Sequence, residues 1–251
     1  MIRPISGFSK LSKKEKIDFL VDVYLGKSEA IRHLIQGFWH KDQKEQQVFD
    51  EFSENTISNF YFPYGVVPNM LINDKLMCVP MVIEESSVVA ACSKAAKFWM
   101  KRGGFNARVI STLKNGQVHL VWDGEPSKLM SFFDSVKTEL RESVAPLVKN
   151  MEARGGGLVN LKLIDRTVDE PGYYQIWADF ETCDAMGANF INTVLEALGS
   201  NFQDMVASHI DFSSEERNLQ IVMAILSNFT PDCIVEAWVE CPIQDLDDKG
   251  H

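Results

Sequence analysis

Val79-Pro80-Met81-Val82-Ile83-Glu84-Glu85-Ser86-Ser87-Val88-Val89-Ala90-Ala91 changes its period in the middle. It opens as an apolar run, the pattern of a buried strand. Small and apolar residues then recur at helical spacing over residues 88–101. Ser86 and Ser87 stand where a helix N-cap is wanted. A buried strand is therefore expected to hand over to a helix, with Glu84 and Glu85 at the junction. Desolvation and a neighbouring carboxyl both favour the neutral form of an acid, and a neutral Glu can donate a proton to a carbonyl. Taken alone, this signal is weak: adjacent Glu residues at a strand end are more often a solvated edge and the acidic preference of a helix start.

Upstream, the pattern predicts helices over residues 12–24, capped by Ser12, then 28–39 and 43–54. Glu54-Asn55 reads as the cap of the third. Residues 59–81 read as β, with Asn73-Asp74 as a turn and Leu76 opening the buried strand. Downstream, Gly103-Gly104 stops the helix. Residues 107–113 and 117–122 flank Lys114-Asn115-Gly116, a hairpin signal. A long amphipathic helix follows over residues 127–154, broken at Pro146 and stopped by Gly155-Gly156-Gly157. Strands at 158–165 and 173–180, a helix at 188–207 and a strand at 219–226 complete the order strand, helix, strand, strand, helix, strand. That is the order of a ferredoxin-like βαββαβ unit. The expected class is α+β. A small ferredoxin-like domain at 106–231 interrupts a larger domain made of residues 1–105 and a returning segment at 232–251.

Three blocks carry a resemblance. Glu54-Asn55-Thr56-Ile57-Ser58, then Val79-Pro80 with Glu84-Glu85-Ser86-Ser87, and then Asp184-Ala185-Met186-Gly187-Ala188-Asn189 stand in order. They resemble the E-N-x-I-G, V-P-x-x-x-E-E-P-S and D-A-M-G-A-N blocks of class II 3-hydroxy-3-methylglutaryl-CoA (HMG-CoA) reductases. The third is unchanged; Ser58 replaces a Gly and Ser86 a Pro. The resemblance implies interconversion of HMG-CoA and mevalonate plus coenzyme A by two hydride transfers, with NAD or NADP as cofactor. It implies Glu85 as proton donor and Ser87 as a contact to the acyl substrate. It also implies a small domain that holds the dinucleotide inside a large substrate domain, with the active site between subunits of a homodimer or higher homo-oligomer. The family's later blocks, with a catalytic Lys, an Asp and a His, do not occur in these residues, so the chain reads as an N-terminal fragment, inactive alone.

By composition, Asp184 to Asn189 is only an N-cap and first helical turn. With the resemblance, Asp184, Ala185, Met186, Gly187, Ala188 and Asn189 become the dinucleotide contact, at a helix N-terminus suited to a pyrophosphate. Asn192, one turn on, is placed on the same face as Asn189 and is expected to join the dinucleotide contact. The choice between NAD and NADP stays open, because Lys149, Glu152 and Arg154 give both signs before the triple glycine.

The remaining composition narrows the classes. A net charge of −10 over 251 residues argues against nucleic-acid and anionic-membrane partners. The five cysteines lack C-x-x-C spacing and read as buried free thiols, and the five histidines lack metal spacing. No cationic leader or membrane-length apolar run is present, which points to the cytoplasm. The rival reading is a non-catalytic binding or assembly module built on a ferredoxin-like domain.

Overall fold

The computed structural model describes residues 5–246. The end of the acidic tail, with His251, lies outside them. The chain divides into two compact units, Met1–Phe105 with Glu240–His251, and Asn106–Val239.

In the first unit a short 3₁₀ turn precedes three helices, α1 (Lys13–Tyr24), α2 (Glu29–Gly37) and α3 (Gln43–Asp50). Ser12 caps α1 in a reciprocal arrangement. Its hydroxyl accepts from the Glu15 N–H while its own N–H donates to the Glu15 carboxylate. Ile17 and Val21 are fully buried on the inner face of α1. Strands β1 (Tyr64–Ile72) and β2 (Lys75–Val82) then form an antiparallel hairpin. Asn73 and Asp74 both have positive φ, 48° and 62°, as a two-residue hairpin turn of matching twist requires. Helix α4 (Ser86–Met100) packs against β1.

The second unit opens with β3 (Asn106–Thr112) and closes with β8 (Cys233–Trp238), which pair antiparallel. Between them run β4 (Lys114–Val121), α5 (Pro126–Ser143), α6 (Ala145–Glu152), β5 (Gly157–Asp165), β6 (Tyr173–Glu181), α7 (Ala188–Ser208) and β7 (Gln220–Leu226). The four inner strands form one sheet in the order β5-β6-β4-β7, antiparallel at every junction. Alternation along β4 sorts its two faces. Val118 and Leu120 are fully buried with Ile176 and Tyr174 of β6 and with Leu195, Leu198 and Phe202 of α7. Gln117 and His119 point the other way, where the His119 ring stacks on Tyr173. The core therefore lies between one sheet face and the three helices.

Several sequence expectations are corrected. Lys114-Asn115-Gly116 is not a hairpin turn but the first part of β4, and β3 pairs with β8 instead. Gly116 serves close packing. A Cβ there would collide with Leu195 Cδ1 of α7 and stand 3.0 Å from the Ile225 carbonyl oxygen. Strand β2 is not buried: Leu76, Met77 and Val82 are exposed, because α4 covers the neighbouring β1. Glu85, not Ser86 or Ser87, occupies the N-cap of α4, and the helix starts at Ser86, two residues earlier than its periodicity suggests. Helix α3 stops at Asp50, and β1 begins only at Tyr64. The thiols are free, but Cys78 and Cys233 are exposed rather than buried. The chain re-enters the first unit at Glu240, after β8. The break of the long helix at Pro146 is as expected, since the Pro opens α6 where its missing N–H costs nothing.

Candidate functional site

The two candidate halves lie in different units. In the first, β2 ends at Val82, and Ile83 and Glu84 lead to Glu85 in extended conformation (φ −111°, ψ 121°). The Glu85 side chain does not cap the helix; it accepts a hydrogen bond from the Ser87 hydroxyl. Both Glu84 and Glu85 are exposed, so this chain by itself does not supply the desolvation anticipated from the apolar run. The pair of Glu85 and Ser87 nevertheless presents an acid and a hydroxyl together at a helix N-terminus. Upstream, Asn55 takes a left-handed conformation (φ 59°), a conformation Asn tolerates better than most residues, five residues beyond the end of α3.

In the second half, β6 ends at Glu181 and the chain turns through Thr182 and Cys183 into Asp184-Ala185-Met186-Gly187. Cys183 has φ 52° and Gly187 φ 83°, so the turn is built on two left-handed residues. Gly187 is the N-cap of α7, and no side chain caps that helix. Its carbonyl accepts from Ile191 N–H at 2.8 Å. The first N–H groups of a helix have no partner within it, so α7 offers donors and the positive end of its dipole at this point. A Cβ on Gly187 would lie 2.5 Å from Thr182 Cγ2, which leaves no room for a larger residue. Asp184, Ala185, Met186 and Asn189 are exposed, and Ala188 is half-buried.

Asn192 does not share the exposed face of Asn189. Its Oδ1 accepts the Leu226 N–H at 2.8 Å and ties α7 to the end of β7. Three residues along a helix fall short of a full turn, and here that offset directs Asn192 towards the sheet. Beneath the turn lie residues that sequence spacing did not single out. Thr182 is fully buried and donates to the Ala185 carbonyl at 2.7 Å. Lys114 Nζ donates to Thr182 Oγ1 at 2.6 Å. Glu181 accepts from the Thr112 hydroxyl and from the Cys183 N–H. The Thr112 hydrogen bond, aided by the Cys183 N–H and the charge of Lys114, holds the Glu181 carboxyl below its ordinary pKa against some desolvation. Only the register of β4 against β6 brings Lys114 here, opposite Phe180.

Among the described residues no group of His, Cys, Asp and Glu side chains could hold a metal ion, and no helix is long and apolar enough to cross a membrane.

The hydroxymethylglutaryl-coenzyme A reductase family model matches residues 14–249. A probable 3-hydroxy-3-methylglutaryl-coenzyme A reductase of Borreliella burgdorferi is 29% identical over 231 residues, covering 90% of this chain and 48% of that protein. The reductase of Archaeoglobus fulgidus is 32% identical over 198 residues, covering 76% and 43%. The chain thus spans about half the length of these relatives. Among solved structures, the class II reductase of Streptococcus pneumoniae bound to NADPH in open conformations superposes with a TM-score of 0.71 at 32% identity, over 98% of this chain and 63% of that one. With a family model that covers nearly all its residues, the chain belongs to the hydroxymethylglutaryl-coenzyme A reductase family, as a class II member.

Proposed function

We propose that this chain carries the acid-bearing and dinucleotide-binding parts of a reductase that interconverts HMG-CoA and mevalonate plus coenzyme A. The observation that carries the reading is the turn at Gly187. It joins a left-handed glycine with no space for a Cβ to an uncapped 21-residue helix. Such a cradle fits the pyrophosphate of NAD or NADP, a cofactor that when bound would donate hydride in its reduced form and accept it in its oxidised form. Asp184, Ala185, Met186, Gly187, Ala188 and Asn189 form the contact. Asn192 is left out, because its side-chain oxygen is committed to Leu226.

In this reading Glu85 gives a proton to the substrate oxygen as negative charge develops there. The Ser87 hydroxyl, hydrogen-bonded to Glu85 in the chain alone, turns to the acyl group. Glu85 works best when water is excluded, and a second copy of the chain supplies that wall. Phe60, Tyr64, Val66, Leu76 and Val82 are exposed around the β1–β2 hairpin, an apolar surface suited to a homo-oligomeric contact. The first unit is then the substrate domain. The second is a ferredoxin-like cofactor domain, a reading supported by the order β5-β6-β4-β7 with helices on one face. Cytoplasmic placement belongs to the same proposal and is supported by five free thiols.

The test is made in a catalytically competent reductase that contains this sequence. Glu85→Gln keeps the shape and removes the proton, so turnover should fall by about 10²–10⁴ while acyl-CoA affinity changes far less. Glu84→Gln is the control, since consecutive residues of an extended segment point to opposite sides. If the Glu85→Gln enzyme turns over within a few fold of the parent, Glu85 has no part in the chemistry.

A further inference from the structure

The Asp184-Ala185-Met186-Gly187-Ala188-Asn189 turn is supported from below by two side chains outside it. Thr182, fully buried, touches the turn in two ways. Its hydroxyl donates to the Ala185 carbonyl at 2.7 Å, and its methyl stands where a Gly187 Cβ would fall. Lys114, the first residue of β4, donates to the Thr182 hydroxyl at 2.6 Å and reaches the Ala185 carbonyl at 3.3 Å. A hydroxyl has one proton to give and rotates freely to suit its partners. Donation from the Lys114 ammonium occupies a lone pair of Oγ1 and directs the Thr182 proton towards Ala185. One carbonyl of the turn is thereby held inwards, away from the open side where the helix donors lie.

We infer that Lys114 and Thr182 are positioning residues for the phosphate end of the dinucleotide. Thr182 sets the path of the turn so that the first N–H groups of α7 converge. Lys114 fixes the Thr182 hydroxyl and offsets the Glu181 carboxylate behind the helix N-terminus, so that an anion is not repelled there. The inference rests on the dinucleotide reading above and adds two residues, 68 positions apart in sequence, that the shared blocks do not contain.

The experiment titrates the chain with NADPH and, separately, NADH at low and high salt, by calorimetry or nucleotide fluorescence. Thr182→Val removes the hydroxyl and keeps the shape; it should weaken binding about 3- to 10-fold, the worth of one neutral hydrogen bond. Thr182→Ser restores the hydroxyl and should return to within about twofold, a rescue not expected if only packing mattered. Lys114→Met should weaken binding about 10-fold or more and flatten the salt dependence, because a charge near the phosphates is lost. Gly187→Val should abolish binding and serves as the control on the site. If Gly187→Val abolishes binding while Lys114→Met and Thr182→Val match the parent at both salts, the inference falls and the dinucleotide site stands. If the parent does not bind, or Gly187→Val binds equally well, the site reading fails and takes the inference with it. Thermal melting accompanies each titration. Should Thr182→Val not melt cooperatively, Lys114→Met decides alone, and parental affinity with an unchanged salt dependence overturns the inference.

Discussion

Gly187→Ala separates the two reasons for a glycine in the turn. The first is backbone: at φ 83° a Cβ meets its own chain, a penalty of about 1–2 kcal/mol, offset by about 0.4–1 kcal/mol of unfolded-state entropy. The second is space: the new Cβ would stand 2.5 Å from Thr182 Cγ2 and 3.0 Å from Thr182 Cβ. Thr182 is fully buried and tied to Ala185 and Lys114, so it cannot retreat cheaply. Overpacking of this kind costs about 1–3 kcal/mol. Together the substitution should cost about 1–4 kcal/mol, and Tm should fall by several degrees. Thr182→Ser deletes the obstructing methyl while keeping the hydroxyl. In the double variant the spatial part should largely vanish, leaving the backbone part. The pair should therefore couple by about 1 kcal/mol or more in urea unfolding, measured as a double-mutant cycle. Strict additivity of the two single changes would refute the packing argument and leave backbone strain as the whole reason for the glycine.

Two further outcomes follow from the same neighbourhood. The folded-state pKa of Glu181 is lowered, so its stabilising contribution is present above the unfolded value of about 4.3 and is lost as pH falls through the folded value. Acid unfolding of the chain should lose part of its slope in this window in Glu181→Gln, and an unchanged profile would show that the Thr112 hydrogen bond contributes nothing. Asn192→Ala should cost about 1–3 kcal/mol by leaving the Leu226 N–H unpaired, with little change in NADPH affinity; a large loss of affinity without loss of stability would return Asn192 to the cofactor site.

The sequence was most legible where information is local. The Ser12 cap, the Asn73-Asp74 turn, the break at Pro146 and the strand–turn–helix at Gly187 each depend on a few consecutive residues, and each stands where the pattern put it. The six-residue block at 184–189 was readable for the same reason. What was misread depends on partners far along the chain. An apolar run such as β2 reports that a face wants covering, not whether its own chain covers it, and here Leu76 and Val82 stay exposed.

Asn115-Gly116 shows the same limit from the other side. A glycine is demanded equally by a tight turn and by a helix lying close over a strand, and composition cannot tell the two apart. Leu195, which a Gly116 Cβ would strike, settles it in favour of the helix. Once Lys114 is a strand residue rather than a turn residue, the β4–β6 register sets it opposite Phe180, two residues before Thr182. The support beneath the candidate dinucleotide turn is thus a consequence of strand pairing, and the misread hairpin hid it. Substitutions that shift the β4–β6 register should therefore reach the turn even though none of them lies in the 184–189 block.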